Sequence, residues 1–251
     1  MQNFDHKCTK LRIWVSILRA RSKIILSTLL VGLLLLPEVP LGLMGGAAGP
    51  EARDMRIGGV TRIRASVSGQ LDGERRKLER NLPVFQEEEI ITGTDARAVL
   101  RFRDGSVLRI GANAKVDLDH FVYKGTGGVI TLLKGAIRFT SGKMGRPGLR
   151  FKSPVATIGI RGTDFWLGEK DDGYGVLLLQ GAITVSNNAG YVVLDSPAEG
   201  TFIASASSAP TPPEKWPDGE QKTALGGVTI TPGPLCAILH RLGRWGFDSC
   251  S

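Results

Sequence analysis

Apolar and polar residues alternate along this chain in short runs, and turn residues punctuate the runs. In AVLRFRDGSVLRIG (98–111), Leu100 and Phe102 share one face while Val99, Arg101 and Arg103 share the other. A period of two belongs to an extended strand, whose successive side chains point to opposite faces. Asp104–Gly105 between the two halves predicts a tight hairpin, because both turn positions favour positive φ. VITLLKGAIRF (129–139), GVLLLQGAITV (175–185) and YVVLDS (191–196) carry the same alternation, and Asn187–Asn188 with Gly190 predict another turn. ERRKLERNL (74–82) alone admits a helical period, and it reads equally as an exposed loop or an edge strand. With 33 glycines to supply turns, the chain is expected to be all-β over residues 57–203.

Self-similarity refines that expectation. LLKGAI (132–137) and LLQGAI (178–183) share one pattern, with glycines at Gly135 and Gly181. ITGTD (91–95) echoes IRGTD (160–164), and RDGSVL (103–108) echoes DDGYGVLL (171–178). These offsets predict two pseudo-repeats of about 70 residues, near 58–128 and 129–203, packed as an antiparallel β-sandwich or a flattened β-solenoid. Residues 204–217, rich in Ala, Ser and Pro, read as a linker. A short irregular tail (218–251) follows, in which Leu235, Ile238, Leu239 and Leu242 share one face of a potential amphipathic helix.

The N-terminus reads as an address. Six basic residues precede the apolar run IILSTLLVGLLLL (24–36), which Pro37 and Glu38 close. That length suits a signal-peptide core better than a bilayer span, and Gly46 and Ala48 fit a cleavage site after Ala48. The expectation is export to the periplasm or beyond, with residues 1–48 removed; the alternative is an inner-membrane anchor facing the periplasm. Membrane contact is expected only through an uncleaved N-terminus or the tail. Cys236 and Cys250 then remain, either bridged, for about 3 kcal/mol of chain-entropy stabilisation, or as two free thiols. The net charge of +8 is shared between the leader and the rest, with no concentrated basic run, so nucleic acid is not an expected partner.

Chemistry is sparse. SPVATIGIRGTDFWL (153–167) is glycine-rich, yet it lacks the lysine and helix of a phosphate loop. Pro154 restricts Ser153 to extended conformations, Gly159 and Gly162 permit bends, and Thr163 and Asp164 hydrogen-bond nearby amides. Arg161 is expected to pair with Asp164 and lock the corner. Asp117 and Asp119 share a strand face, and Glu87–Glu89 read as a solvated edge that blocks unwanted strand pairing. An enzyme would need a pocket joining His120 to acidic or hydroxyl groups. A glycan binder would expose Trp166, Tyr174 and Tyr191 along a groove. The reading is a non-enzymatic module without cofactor or metal.

IGGVTRIRASV (57–67), DARAVLRFRDGSVLRIGANAKVDLDHFVY (95–123), LLKGAIRFTSGK (132–143), SPVATIGIRGTDFWL and GVLLLQGAITVSN (175–187) together resemble the FecR domain of bacterial envelope proteins. The resemblance implies an extracytoplasmic β domain that works by protein contact. Its signature, and the candidate interaction residues it implies, are Asp104, Gly105, Gly135, Pro154, Gly159, Arg161, Gly162, Thr163 and Asp164. Only 23 residues precede the apolar run, so the expected form is a free-standing exported protein rather than a sigma-factor regulator. Another envelope protein is the expected partner, with a glycan as the alternative.

Overall fold

The computed structural model describes residues 56–121, 127–142 and 148–231. The leader (1–48), Cys236, Cys250 and the tail segment 235–245 lie outside them, as does the side chain of His120. The described chain is mostly β, wound into one curled, mixed sheet.

One arm of the sheet holds β1 (Arg56–Arg64), β4 (Pro83–Phe85), β6 (Arg97–Phe102), β7 (Val107–Ile110) and β10 (Ala136–Thr140). The other holds β2 (Val67–Leu71), β3 (Glu74–Lys77), β5 (Glu89–Thr92), β8 (Lys115–Phe121), β9 (Gly128–Lys134) and β11 (Leu149–Lys152). The long strands β12 (Thr157–Lys170) and β13 (Gly173–Asn187) run through both arms. The hydrogen-bonded order is β3-β2-β5-β8-β9-β11-β12-β10-β7-β6-β1-β4. β1 and β2 therefore lie near opposite ends of the path, although only Ala65 and Ser66 separate them in the chain. So short a connection forces the sheet to curl until its arms face each other. Between them lies one hydrophobic core, in which Phe151 of β11 stands 4.8 Å from Phe139 of β10 and 4.9 Å from Phe165 of β12, ring centre to ring centre.

Residues with positive φ mark the crossings between arms: Ala65, Glu87, Asn113, Gly135, Gly162 and Gly181. At Gly135 a Cβ would lie 2.7 Å from Ala114 Cα, so both the conformation and the close approach exclude a side chain. Among the described residues β9 and β11 pair in parallel and all other pairings are antiparallel. The parallel pair arises because the chain leaves β9, crosses the other arm as β10 and returns in the same direction.

A hairpin forms at Asp104–Gly105, but not as the expected two-residue turn: only Gly105 has positive φ (+85°), and the loop closes through Gly105 N–H donating to the Phe102 carbonyl (3.0 Å) and Phe102 N–H to that of Ser106 (2.9 Å). ERRKLERNL supplies the edge strand β3 and then buries Leu78. The 70-residue units do not pack as separate bodies, because β9–β12 lie between two groups of strands from the first unit. ITGTD ends β5, whereas IRGTD bulges within β12. The shorter likeness holds in backbone conformation: Gly135 and Gly181, at φ +86° and +87°, both turn the chain between arms.

The expected linker is docked. β14 (Gly190–Leu194) borders β13, while β15 (Glu199–Ile203) and β16 (Glu214–Lys215) extend the first arm and lead to helix α1 (Asp218–Gly227). Between β15 and α1, Thr211 N–H donates to the Phe202 carbonyl (3.0 Å) and Trp216 N–H to that of Ala198 (2.9 Å). Trp216 is buried against Trp166, Leu177 and Val228 on the outer face of the sheet, where a Cβ on Gly200 would strike its indole. The Pro- and Ser-rich composition reports irregular backbone here, but the indole gains enough by apolar burial to hold the segment down.

Candidate functional site

The signature residues fall mainly along one rim of the curled sheet. Asp104 accepts hydrogen bonds from Ser106 N–H (3.0 Å) and Oγ–H (2.6 Å), and Ser106 Oγ accepts from Gly142 N–H (3.1 Å). One strand further on, Ser141 N–H donates to the Thr163 carbonyl (2.8 Å), and Thr163 N–H to Ser141 Oγ (3.0 Å). A Cβ on Gly181 would strike the Gly162 carbonyl. Asp104 and the Thr163 backbone thus stitch neighbouring strand ends together, while Gly135 shapes a separate corner. The buried Thr163 hydroxyl has no hydrogen-bond partner among the described residues, so the side-chain bond expected of it does not form. Ser153, just before Pro154, caps the β11–β12 turn by accepting from Ala156 N–H (3.1 Å).

Asp164 does not pair with Arg161. Its carboxylate accepts from Arg138 Nε and Nη2, both at 2.8 Å, in a two-pronged fork. Arg161 is exposed and stands outside this pair. The bulge between Arg161 and Asp164 separates them, while register places Asp164 opposite Thr140, two residues from Arg138 on β10. The hydrogen bonds that Arg138 donates to Asp164 raise the Arg138 pKa further.

Glu88 is also not solvated. It is fully buried and accepts from Arg76 Nε and Nη2 (2.9 Å each) and from Phe85 N–H (3.0 Å). Arg76 in turn donates to the Pro83 carbonyl (2.6 Å), so one ion pair clasps the crossing from β4 to β5. Gly69 leaves the space that the carboxylate fills.

Carboxylates also gather outside. Glu89 and Asp117 face each other across β5 and β8, Lys115 pairs with Glu89 (2.8 Å), and Asp119 accepts from Thr131 Oγ (2.6 Å). Burial, then the charges of Glu89 and Asp119, push Asp117 up to about 6. Among the described residues, no group of three or more His, Cys, Asp or Glu side chains is arranged to hold a metal ion.

Of the three aromatics expected to line a glycan groove, Trp166 and Tyr174 are buried and Tyr191 is 75% exposed. Tyr191 lies on β14, whose sheet partner among the described residues is β13 alone. Val193, next on the same face, is 46% exposed. Beside them a shallow groove of about 300 Å³ runs over Gly159, between Arg150, Thr184 and Val193. Register accounts for it: Arg150, Gly159, Thr184 and Val193 are successive partners across β11, β12, β13 and β14, and Gly159 contributes no side chain.

The family model described as FecR protein matches residues 88–184, the span from the Glu88 clasp through the rim to β13. Residues 88–184 carry a FecR domain. No curated protein matches the chain. Two crystal structures of a candidate anti-sigma factor from Parabacteroides distasonis are similar to it, at 15% and 17% identity with TM-scores of 0.47 and 0.46. Each alignment covers 62% of this chain and 73% of the other. Most signature residues of the FecR domain close turns and crossings, while Gly159 opens the groove beside β14.

Proposed function

We propose that this protein is a non-enzymatic regulatory module of the bacterial cell envelope, which binds another envelope protein through the edge of β14, the strand that borders its FecR-matched region. The free side of β14 carries the proposal. A strand with one unpaired side offers backbone N–H and C=O groups to an incoming strand, and exposed side chains on alternate positions select it. Tyr191 and Val193 provide those positions, and the Gly159 groove receives a side chain of the partner. The match of residues 88–184 to the FecR model supports a role in envelope signalling by contact. The glycan reading keeps Tyr191 as its stacking residue and loses Trp166 and Tyr174 to the interior.

Export after removal of residues 1–48 places this surface in the periplasm or outside the cell. N-terminal sequencing of the mature protein tests that step: a start at Gly49 supports it, and an intact N-terminus supports the anchored form. For the edge itself, a photo-crosslinker at position 191 or 193 in intact cells is expected to yield a discrete protein adduct, and one at Lys134 none. Adducts with glycan alone, or equal labelling from all three positions, would overturn the assignment.

A further inference from the structure

The outer face of the first arm carries a ladder of arginines. Register aligns Arg62 of β1, Val99 of β6, Arg109 of β7, Arg138 of β10 and Trp166 of β12 in one row across five neighbouring strands. The next row aligns Arg101, Val107, Thr140 and Asp164. Neighbouring strands lie about 4.8 Å apart, so these cations are crowded. Like charges directly opposite each other, as Arg109 and Arg138 are, destabilise a sheet. The side chains line a cleft of about 620 Å³, closed on one flank by Thr229 and Ile230 after α1 and on another by Arg80 and Asn81. Val99, Val107 and Ile230 give it apolar patches.

One arginine of this row is already held by a carboxylate. Asp164 holds Arg138 by the two-pronged fork. Arg109, on the adjacent strand, donates to the Thr140 hydroxyl (3.2 Å) and forms no ion pair among the described residues. Burial, then Arg138, lowers its pKa; the charge of Asp164 offsets part of this, and the nearby Arg62 and Arg101 lower it further. The chain therefore holds a partly buried guanidinium among like charges, next to a working example of how a carboxylate satisfies one.

We infer that this cleft binds an acidic peptide segment of a partner protein, whose carboxylates pair with Arg109 and Arg101 as Asp164 pairs with Arg138. The apolar patches between the arginines accept the non-acidic side chains of such a segment. The flanking walls keep out a flat lipid surface. The cleft lies on the opposite arm from β14, so it is a second contact and stands independently of the edge proposal.

A fluorescent hexaglutamate peptide, with hexaglutamine as control, tests the inference on the full-length mature protein. Hexaglutamate is expected to bind and hexaglutamine not, with affinity falling as salt rises. Arg109→Gln is expected to weaken hexaglutamate binding at least about tenfold. Lys134→Gln, an equal loss of charge elsewhere, is expected to change it less than about twofold. Should Arg109→Gln fail to fold, the exposed Arg101→Gln serves the same comparison. Equal loss in Arg109→Gln and Lys134→Gln, or absence of hexaglutamate binding, would overturn the assignment. So would tighter binding of polyphosphate or of phosphatidylglycerol vesicles than of hexaglutamate.

Discussion

Two carboxylates in this molecule are each gripped by the fork of a single arginine, and they do different work. Glu88 has no exposure; Arg76 and Phe85 N–H saturate it, and the unit closes a crossing between the arms. Asp164 makes the same fork with Arg138 but keeps 14% of its side chain exposed, on a face where Arg109 and Arg101 stand nearby. The geometry of the pair is thus not what separates clasp from binding site. Surroundings separate them: Glu88 is filled in by its neighbours, whereas Asp164 pairs with Arg138 and leaves Arg109 and Arg101 beside it without an ion pair among the described residues.

The largest expected effect breaks the clasp. Glu88→Ala strands the Arg76 guanidinium and the Phe85 N–H, and removing one partner of a buried ion pair costs about 3–5 kcal/mol. Thermal denaturation should show a fall of roughly 10 °C or more; a change of a degree or two would place Glu88 in a solvated setting after all. Asp164→Asn sharpens the contrast. It should cost about 1–2 kcal/mol, since its pair is partly solvated, and it should tighten hexaglutamate binding by releasing Arg138. Glu88→Gln should lower stability and leave that affinity unchanged. If Asp164→Asn weakens the affinity instead, Asp164 belongs to the cleft wall rather than competing with the ligand.

The acidic row on the other arm gives a smaller, pH-dependent effect. The folded state raises Asp117 from 3.8 to about 6, so it holds the proton more tightly than the unfolded chain does. The associated stability is present in full below the unfolded value and is lost as pH rises through about 6. Asp117→Asn should therefore stabilise the protein at pH 7.5 by about 1 kcal/mol, discounted for solvent screening, and by much less at pH 4. Melting curves at the two pH values check the sign, and an equal shift at both would exclude Asp117 as the titrating group. The smallest effect is expected at Arg161. Because Arg138 takes the carboxylate, Arg161→Ala should change stability by less than about 0.5 kcal/mol.

Much of the local structure was legible in the chain. Period-two alternation located β6, β7, β9, β10 and β13, and Asp104–Gly105 and Asn187–Asn188 with Gly190 located turns, because these signals act between near neighbours. The candidate site was legible only in outline. Gly162, Thr163 and Asp164 were recognisable as a corner, yet Arg161 looked like the natural partner because it is near in sequence. The arginine ladder left a faint trace in the recurring LRF, LRI and IRF triplets, each an arginine between two inward-facing apolar residues. That trace places each arginine outward and says nothing of which strands lie side by side. Glu88, the middle of three glutamates, left none.

By itself, then, the sequence determined strands, hairpins and the inward or outward sense of each side chain, since backbone preferences and hydrophobic alternation operate within a few residues. Only the tertiary structure decided that Arg138 meets Asp164, that Glu88 is sealed and that four arginines share one face. Those outcomes depend on lateral register between strands distant in the chain, which the burial of one shared core selects.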